Sequence, residues 1–247
     1  MSLFEDVFAT LPQGEVIDVF IGLHWTLVGV EVDGSQRYGL ASSLGRDHHH
    51  SGEPDVPRAG ALTDYTALEL ARLTHSESMS LASVGTAALN ALIPRRPNTW
   101  VNVNAEEVIA EHGAGKMVAL VGHFPFIRRL EDRVGELVVI ERNPRPGDLP
   151  AAAAEEVIPQ AGVVAITGTT WINKSLGDLL ALCQPDTHVI LLGPSTPLSP
   201  VLFDYGVDML CGAVVEKIEP VKRTVLQGGN FRQVHKAGVK LVTIAKD

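Results

Sequence analysis

Thr187-His188-Val189-Ile190-Leu191-Leu192-Gly193-Pro194-Ser195-Thr196-Pro197-Leu198-Ser199-Pro200 is a β-branched apolar run that stops at Gly-Pro and yields to hydroxyls and prolines. The helix-like Val201-Leu202-Phe203-Asp204-Tyr205 follows and closes at Gly206. Such a pattern predicts a buried strand, a stiff loop and a helix start. In an open parallel sheet, ligands bind just outside the carboxyl ends of strands, near helix N-termini.

Working outward, two more strands end in the same way. Met117–Val121 runs into Gly122-His123-Phe124-Pro125, and Val163–Ile166 into Thr167-Gly168-Thr169-Thr170. Glycine at these ends permits close backbone approach, and exposed amides with Ser or Thr hydroxyls can hold an anion or a polar head group. One such loop is ordinary turn and cap chemistry. Three on one edge predict a binding crevice.

Between these strands the sequence reads as helices near Phe126–Val134, Ala151–Val157 and Trp171–Leu182, with further strands at Leu137–Ile140, Val207–Cys211 and Val239–Ile244. Continuous apolar strands alternating with helices predict a parallel sheet covered on both faces. The first part differs. A helix near Leu3–Leu11 precedes strands at Val16–Ile21, Thr26–Val32 and Arg37–Ala41, the last two joined by the turn signal Asp33-Gly34. Helices near Tyr65–Leu73 and Ser80–Leu92 follow, the second so rich in small residues that close packing against it is expected. His24 and Trp25, at a strand junction, read as core. Pro94 and Pro97 mark the boundary, giving an α+β domain over 1–97 and a Rossmann-like α/β domain over 98–247.

The net charge of −9 argues against nucleic acid, which is bound by clustered Lys and Arg. Two cysteines, Cys183 and Cys211, lie in apolar surroundings and read as buried free thiols of a reducing compartment. The acidic start at Met1–Phe8 has no signal-peptide character, and no apolar run reaches membrane-spanning length. A cytoplasmic protein is expected, with a homodimer as the base-rate assembly. Neither a Gly-x-Gly-x-x-Gly fingerprint nor a Gly-x-x-x-x-Gly-Lys loop occurs, so NAD and ATP have no support as cofactors.

Ala82–Ala91, the Val121–Pro125 loop, Ile166–Thr170 with Asn173, and Leu192–Pro197 continuing to Pro200 and Gly206 together resemble the heavy-metal chelation family. The resemblance covers nearly the whole chain. It implies an enolase-N-terminal-like α+β domain followed by a Rossmann-like domain, a site in the cleft between them, and the handling of a metal or of a metal-chelating small molecule.

Among the loop residues, only His123 titrates near neutrality; it could shuttle a proton, ligate a metal or bind an anion. It is the catalytic candidate. Gly122, Phe124, Pro125, Gly168, Thr169, Thr170, Asn173, Gly193, Pro194, Ser195, Thr196 and Pro197 are the ligand-binding candidates, with Asn173 placed one turn into a helix. In the polar stretch 42–63, extended Asp47-His48-His49-His50 would put His48 and His50 on one side, a pairing suited to a divalent transition metal. The expected function is binding of a small polar or anionic, metal-linked ligand in the interdomain cleft. The alternatives are a transferase or lyase acting on a heterocyclic metabolite and a non-catalytic regulator of metal uptake.

Overall fold

The computed structural model describes residues 2–45 and 53–246. Helix α1 (Leu3–Phe8), capped by Ser2, leads into an antiparallel meander of β1 (Glu15–Ile21), β2 (Trp25–Val32) and β3 (Ser35–Ser42). Asp33 and Gly34, both with positive φ, form the tight turn between β2 and β3. Helices α2 (Ala67–Arg72) and α3 (Met79–Leu92) pack on this sheet. A complete capping box at Thr66 and Glu69 starts α2, and Ser78 caps α3.

After Pro94 the chain builds a seven-stranded sheet in the order β10-β9-β8-β7-β4-β5-β6. In chain order these are α4 (Ala105–Gly113), β4 (Met117–Val121), α5 (Ile127–Leu130), β5 (Glu136–Glu141), β6 (Leu149–Pro150), α6 (Ala154–Val157) and β7 (Val163–Thr167). Next come α7 (Thr169–Ile172), α8 (Leu176–Ala181), β8 (His188–Leu192), β9 (Met209–Val215), α9 (Ile218–Leu226), α10 (Phe231–Gly238) and β10 (Val239–Ala245). All pairings are parallel except β9 with β10. The protein is therefore α/β, a small antiparallel sheet followed by a larger Rossmann-like one. Strands β4, β7 and β8 are buried on both faces, which accounts for their unbroken apolar sequences.

Several elements differ from the sequence expectation. The helix expected over Trp171–Leu182 is broken into α7 and α8, because Lys174 takes a left-handed φ of 66°. Asn173 therefore ends α7 instead of sitting inside a helix, and its Oδ1 accepts from the Ser175 amide and hydroxyl. Val201–Tyr205 is a 3-10 turn, closed by Gly206 at φ 86°. His24 is exposed, while Trp25 is buried as expected. Helices α9 and α10 fill a stretch for which no element was expected.

The small residues of α3 have a direct consequence. A Cβ at Gly39 of β3 would lie 2.1 Å from the Ala87 carbonyl and 2.3 Å from the Ala91 amide, so the strand rests on the helix backbone itself. Gly85 allows the same on the other side, where a Cβ would meet the Thr74 amide at 2.1 Å. Overpacking a closed core costs on the order of 1–3 kcal/mol. Gly39→Ala is thus expected to lower the urea midpoint by at least that equivalent, whereas Gly34→Ala, at a turn with open space, should show only its φ penalty. Equal losses at the two positions would contradict this packing.

At the amino edge of the larger sheet, the His188 ring stacks on His112 with centroids 3.9 Å apart and planes 4° from parallel. Its Nδ1 lies 3.5 Å from Asp208 Oδ2. Burial lowers the His188 pKa, and His112 and Lys116 push the same way, while Asp208 opposes them. The unfolded imidazole titrates near about pH 6.5. Below that pH the unfolded state binds more protons than the folded one. The stabilisation is therefore full above about pH 6.5 and is lost as pH falls toward the depressed folded value. Urea unfolding at about pH 7.5 and about pH 5.5 should show this loss, and His188→Gln should shrink it. A loss of unchanged size in the variant would assign it to other groups.

Candidate functional site

The larger sheet grows from β4 toward β5 and β6, then returns to the other side of β4 with β7 and continues outward. The strand order thus reverses between β4 and β7, the point at which doubly wound sheets open a crevice at their carboxyl edge. A cleft of about 600 Å³ lies there, within the usual size for a small-molecule site. Strand ends supply Gly122 and His123 from β4, Glu141 and Arg142 from β5, and Thr167, Thr169 and Thr170 from β7 and its loop. Ala151, Ala152, Ala154 and Glu155 form one side, and Asn173, Ser175, Asp178, Leu179 and Leu182 the other.

Backbone geometry explains the opening. Gly122 has φ 107°, and its missing Cβ would stand 3.0 Å from the Thr167 side chain, so the β4 and β7 ends approach as only glycine permits. The Thr167 and Thr169 hydroxyls are 3.1 Å apart, and the Thr169 amide donates to Thr167 Oγ1. Thr170 donates back to the Thr167 carbonyl and is buried. Thr167 and Thr169 thus bring paired hydroxyls to the cleft, while Thr170 braces the turn.

His123 lines this cleft and also a neighbouring one of about 690 Å³, which holds Phe124, Pro125, Arg128, Arg145 and Asp148. Its Nδ1 lies 3.3 Å from Asp148 Oδ2, and the Asp148 side chain is only 6% exposed. The same oxygen accepts from the Arg145 amide at 3.0 Å. An ionised carboxylate can only accept, so Nδ1 carries the proton and Nε2 is left as a base or ligand atom. The sequence alone did not reveal this partner, which lies in the turn before β6.

The Gly193–Pro197 loop is placed elsewhere. Ser195, Thr196 and Pro197 are buried where the two sheets meet. Ser195 Oγ accepts from the Ser42 amide at 2.9 Å and bonds the Ser42 hydroxyl at 3.1 Å. Asn90 of α3 donates to the Leu40 and Ser195 carbonyls. A Cβ at Gly168 would meet the Thr196 amide at 2.5 Å, so Gly168 packs against this loop. A cavity of about 30 Å³ beside Asn90 and Thr196 has room for about one water. Gly193 and Pro194 are half-buried. Of the sequence candidates, then, the β4–β7 cleft collects Gly122, His123, Thr169, Thr170 and Asn173. Phe124 and Pro125 face its neighbour, and the Gly193–Pro197 loop joins the two sheets.

His48 and His50 lie outside the described residues. Among the described residues, no three His, Cys, Asp or Glu side chains gather into a metal-holding group. His123 with Asp148 is a pair, and burial raises both cysteine thiols, Cys183 and Cys211, to about 11, which disfavours the thiolates that bind metals. The described residues by themselves therefore do not fit a resident metal ion. Among them, no helix is long and apolar enough to cross a membrane.

A Rossmann-like sheet with a ligand-sized opening at its strand-order reversal, packed against a small α+β unit, sets the structural class. Within it, the chain belongs to the family described as "Putative heavy-metal chelation", whose two models match residues 4–93 and 104–244. An uncharacterized protein of Methanocaldococcus jannaschii is 27% identical over 195 residues, covering 76% of this chain and 74% of its own length. A crystal structure of a protein with unknown function from Desulfitobacterium hafniense superposes with TM-score 0.83 at 25% identity, covering 99% of this chain and 98% of that one. One from Pyrococcus horikoshii gives 0.82 at 19% identity over the same shares, a likeness of fold.

Proposed function

We propose that this protein, with residues 1–97 and 98–247 as its two units, binds a small polar metal-chelating ligand in the β4–β7 cleft. The metal is then cargo carried by the ligand. The observation that carries this reading is the 600 Å³ cleft at the strand-order reversal, with a carboxylate-paired histidine on its rim. The sequence reading placed the ligand between the domains. The strand edge is the better place, because the seam there is closed by Ser42, Asn90 and Ser195.

The lining chemistry narrows the ligand further. Glu141, Glu155 and Asp178 face Arg142 alone among fixed charges, which favours a neutral or cationic ligand over an anion. A second reading, acid–base chemistry on a heterocyclic metabolite, draws on the His123–Asp148 pair. Such a pair fixes the tautomer and orients the ring for proton transfer at Nε2.

Elemental analysis and mass spectrometry of the purified chain test the binding reading. Wild type is expected to carry a small molecule that Leu182→Trp, which fills the cleft, releases; retention by a folded Leu182→Trp protein would overturn it. For metal binding at His48 and His50, titration with divalent transition metals should weaken in the His48→Ala/His50→Ala variant. Unchanged binding would remove that pair.

A further inference from the structure

Glu141 was not among the sequence candidates, and its position is specific. It ends β5, the strand beside β4, about twenty residues beyond Gly122. In doubly wound sheets, a carboxylate at that place hydrogen-bonds the hydroxyls of a ribose whose remainder lies over the first strand end. Here Glu141 Oε1 accepts from its neighbours' amides, Arg142 at 2.7 Å and Asn143 at 3.5 Å. Those bonds fix the carboxylate and leave Oε2 with no protein partner among the described residues.

The turn after β4 differs from a dinucleotide site in a way that decides the ligand. Counting from Gly122, Phe124 and Ile127 stand where the second and third glycines would let a pyrophosphate approach, and Pro125 has no amide to offer. Helix α5 has only four residues and no side-chain cap, so it makes no anion site of its own. Carboxylates outnumber the one guanidinium on the cleft wall. Glu141 shares the cleft with the apolar Leu179 and Leu182, side chains of the kind that hold a heterocyclic base.

We infer that the cleft binds a ribonucleoside group with a free 2′,3′-diol and no phosphate, the diol donating to Glu141 and the base lying against Leu179 and Leu182. This rests on the β4–β7 cleft being the binding site and names its ligand class. Hydroxyls donated to a fixed carboxylate form charge-assisted bonds, so losing one should weaken binding about 10-fold or more.

The probes are adenosine, 2′-deoxyadenosine and adenosine monophosphate, titrated calorimetrically into the full chain. Adenosine should bind, with the deoxy analogue about 10-fold weaker and the monophosphate weaker than adenosine. Glu141→Gln retains an amide oxygen for the two backbone donors and should weaken adenosine about 10-fold or more, and the deoxy analogue, which keeps only its 3′-hydroxyl, by less. Absence of adenosine binding at millimolar concentration overturns the inference, as does equal binding of the two nucleosides. So does a monophosphate that binds more tightly. The cleft reading is separated by Leu182→Trp: adenosine binding insensitive to Glu141→Gln but abolished by Leu182→Trp removes the ribose assignment and keeps the site. Insensitivity to both removes both.

Discussion

The contact on which the rest depends is backbone to backbone. Gly39 lets β3 lie directly on α3, with no side chain between them. That contact sets the height of the small sheet over the helix, and it places Ser42 at the strand end and Asn90 on the helix at one level. Both then meet Ser195 across the boundary between the two units. A bulkier residue at 39 would move strand and helix apart and separate these groups. The union of the two sheets is therefore a consequence of packing inside the first one. The shared core agrees: Ala87 and Leu89 of α3 belong to one apolar cluster with Val164 and Trp171.

This union explains why one of three similar strand ends has a different role. All three leave the same edge of the sheet, and each carries glycine followed by polar or proline residues. The β8 end is covered by the first unit, so the Ser195 hydroxyl is bonded by Ser42 and its carbonyl by Asn90. The β4 and β7 ends remain open, and between them the sheet reverses its order. Equivalent sequence patterns thus separate into a joint and a cleft, because of what sits above each.

Much of this was legible in the sequence, and the failures have physical causes. The alternation of apolar strands with helices sufficed for the larger sheet, and the Asp33-Gly34 turn for the meander. Helix α10 also had a signal, Asn230 with Gln233 three residues on, which closes a capping box. The burial of Ser195 and Thr196 had none, since hydroxyl-rich loops usually face water and the covering surface comes from residues about 150 positions earlier. The His123–Asp148 pair likewise depends on β5 and β6 bringing a turn back beside β4. Glu141 could have been found by counting from the first strand end. The missing glycine fingerprint concealed it, because that rule is normally applied only after the fingerprint is seen.

The break at Lys174 connects the two units to the cleft. A residue other than glycine at positive φ costs on the order of 1–3 kcal/mol unless its surroundings hold it there. Here the holding groups are identifiable. Asn173 Oδ1 accepts from Ser175 on one side, and Lys174 Nζ donates to the Ser76 carbonyl of the first unit on the other. Without the break, one straight helix would run on from Thr169 and carry its later residues in a different direction. With it, α8 starts afresh and turns Ser175, Asp178, Leu179 and Leu182, a helical face at spacings of three and four, toward the cleft. Along this face the polar residues come first and the leucines follow. The first unit holds the break through the Ser76 carbonyl that accepts from Lys174, the residue whose conformation directs that face. It thereby shapes a cleft to which none of its described residues contributes lining.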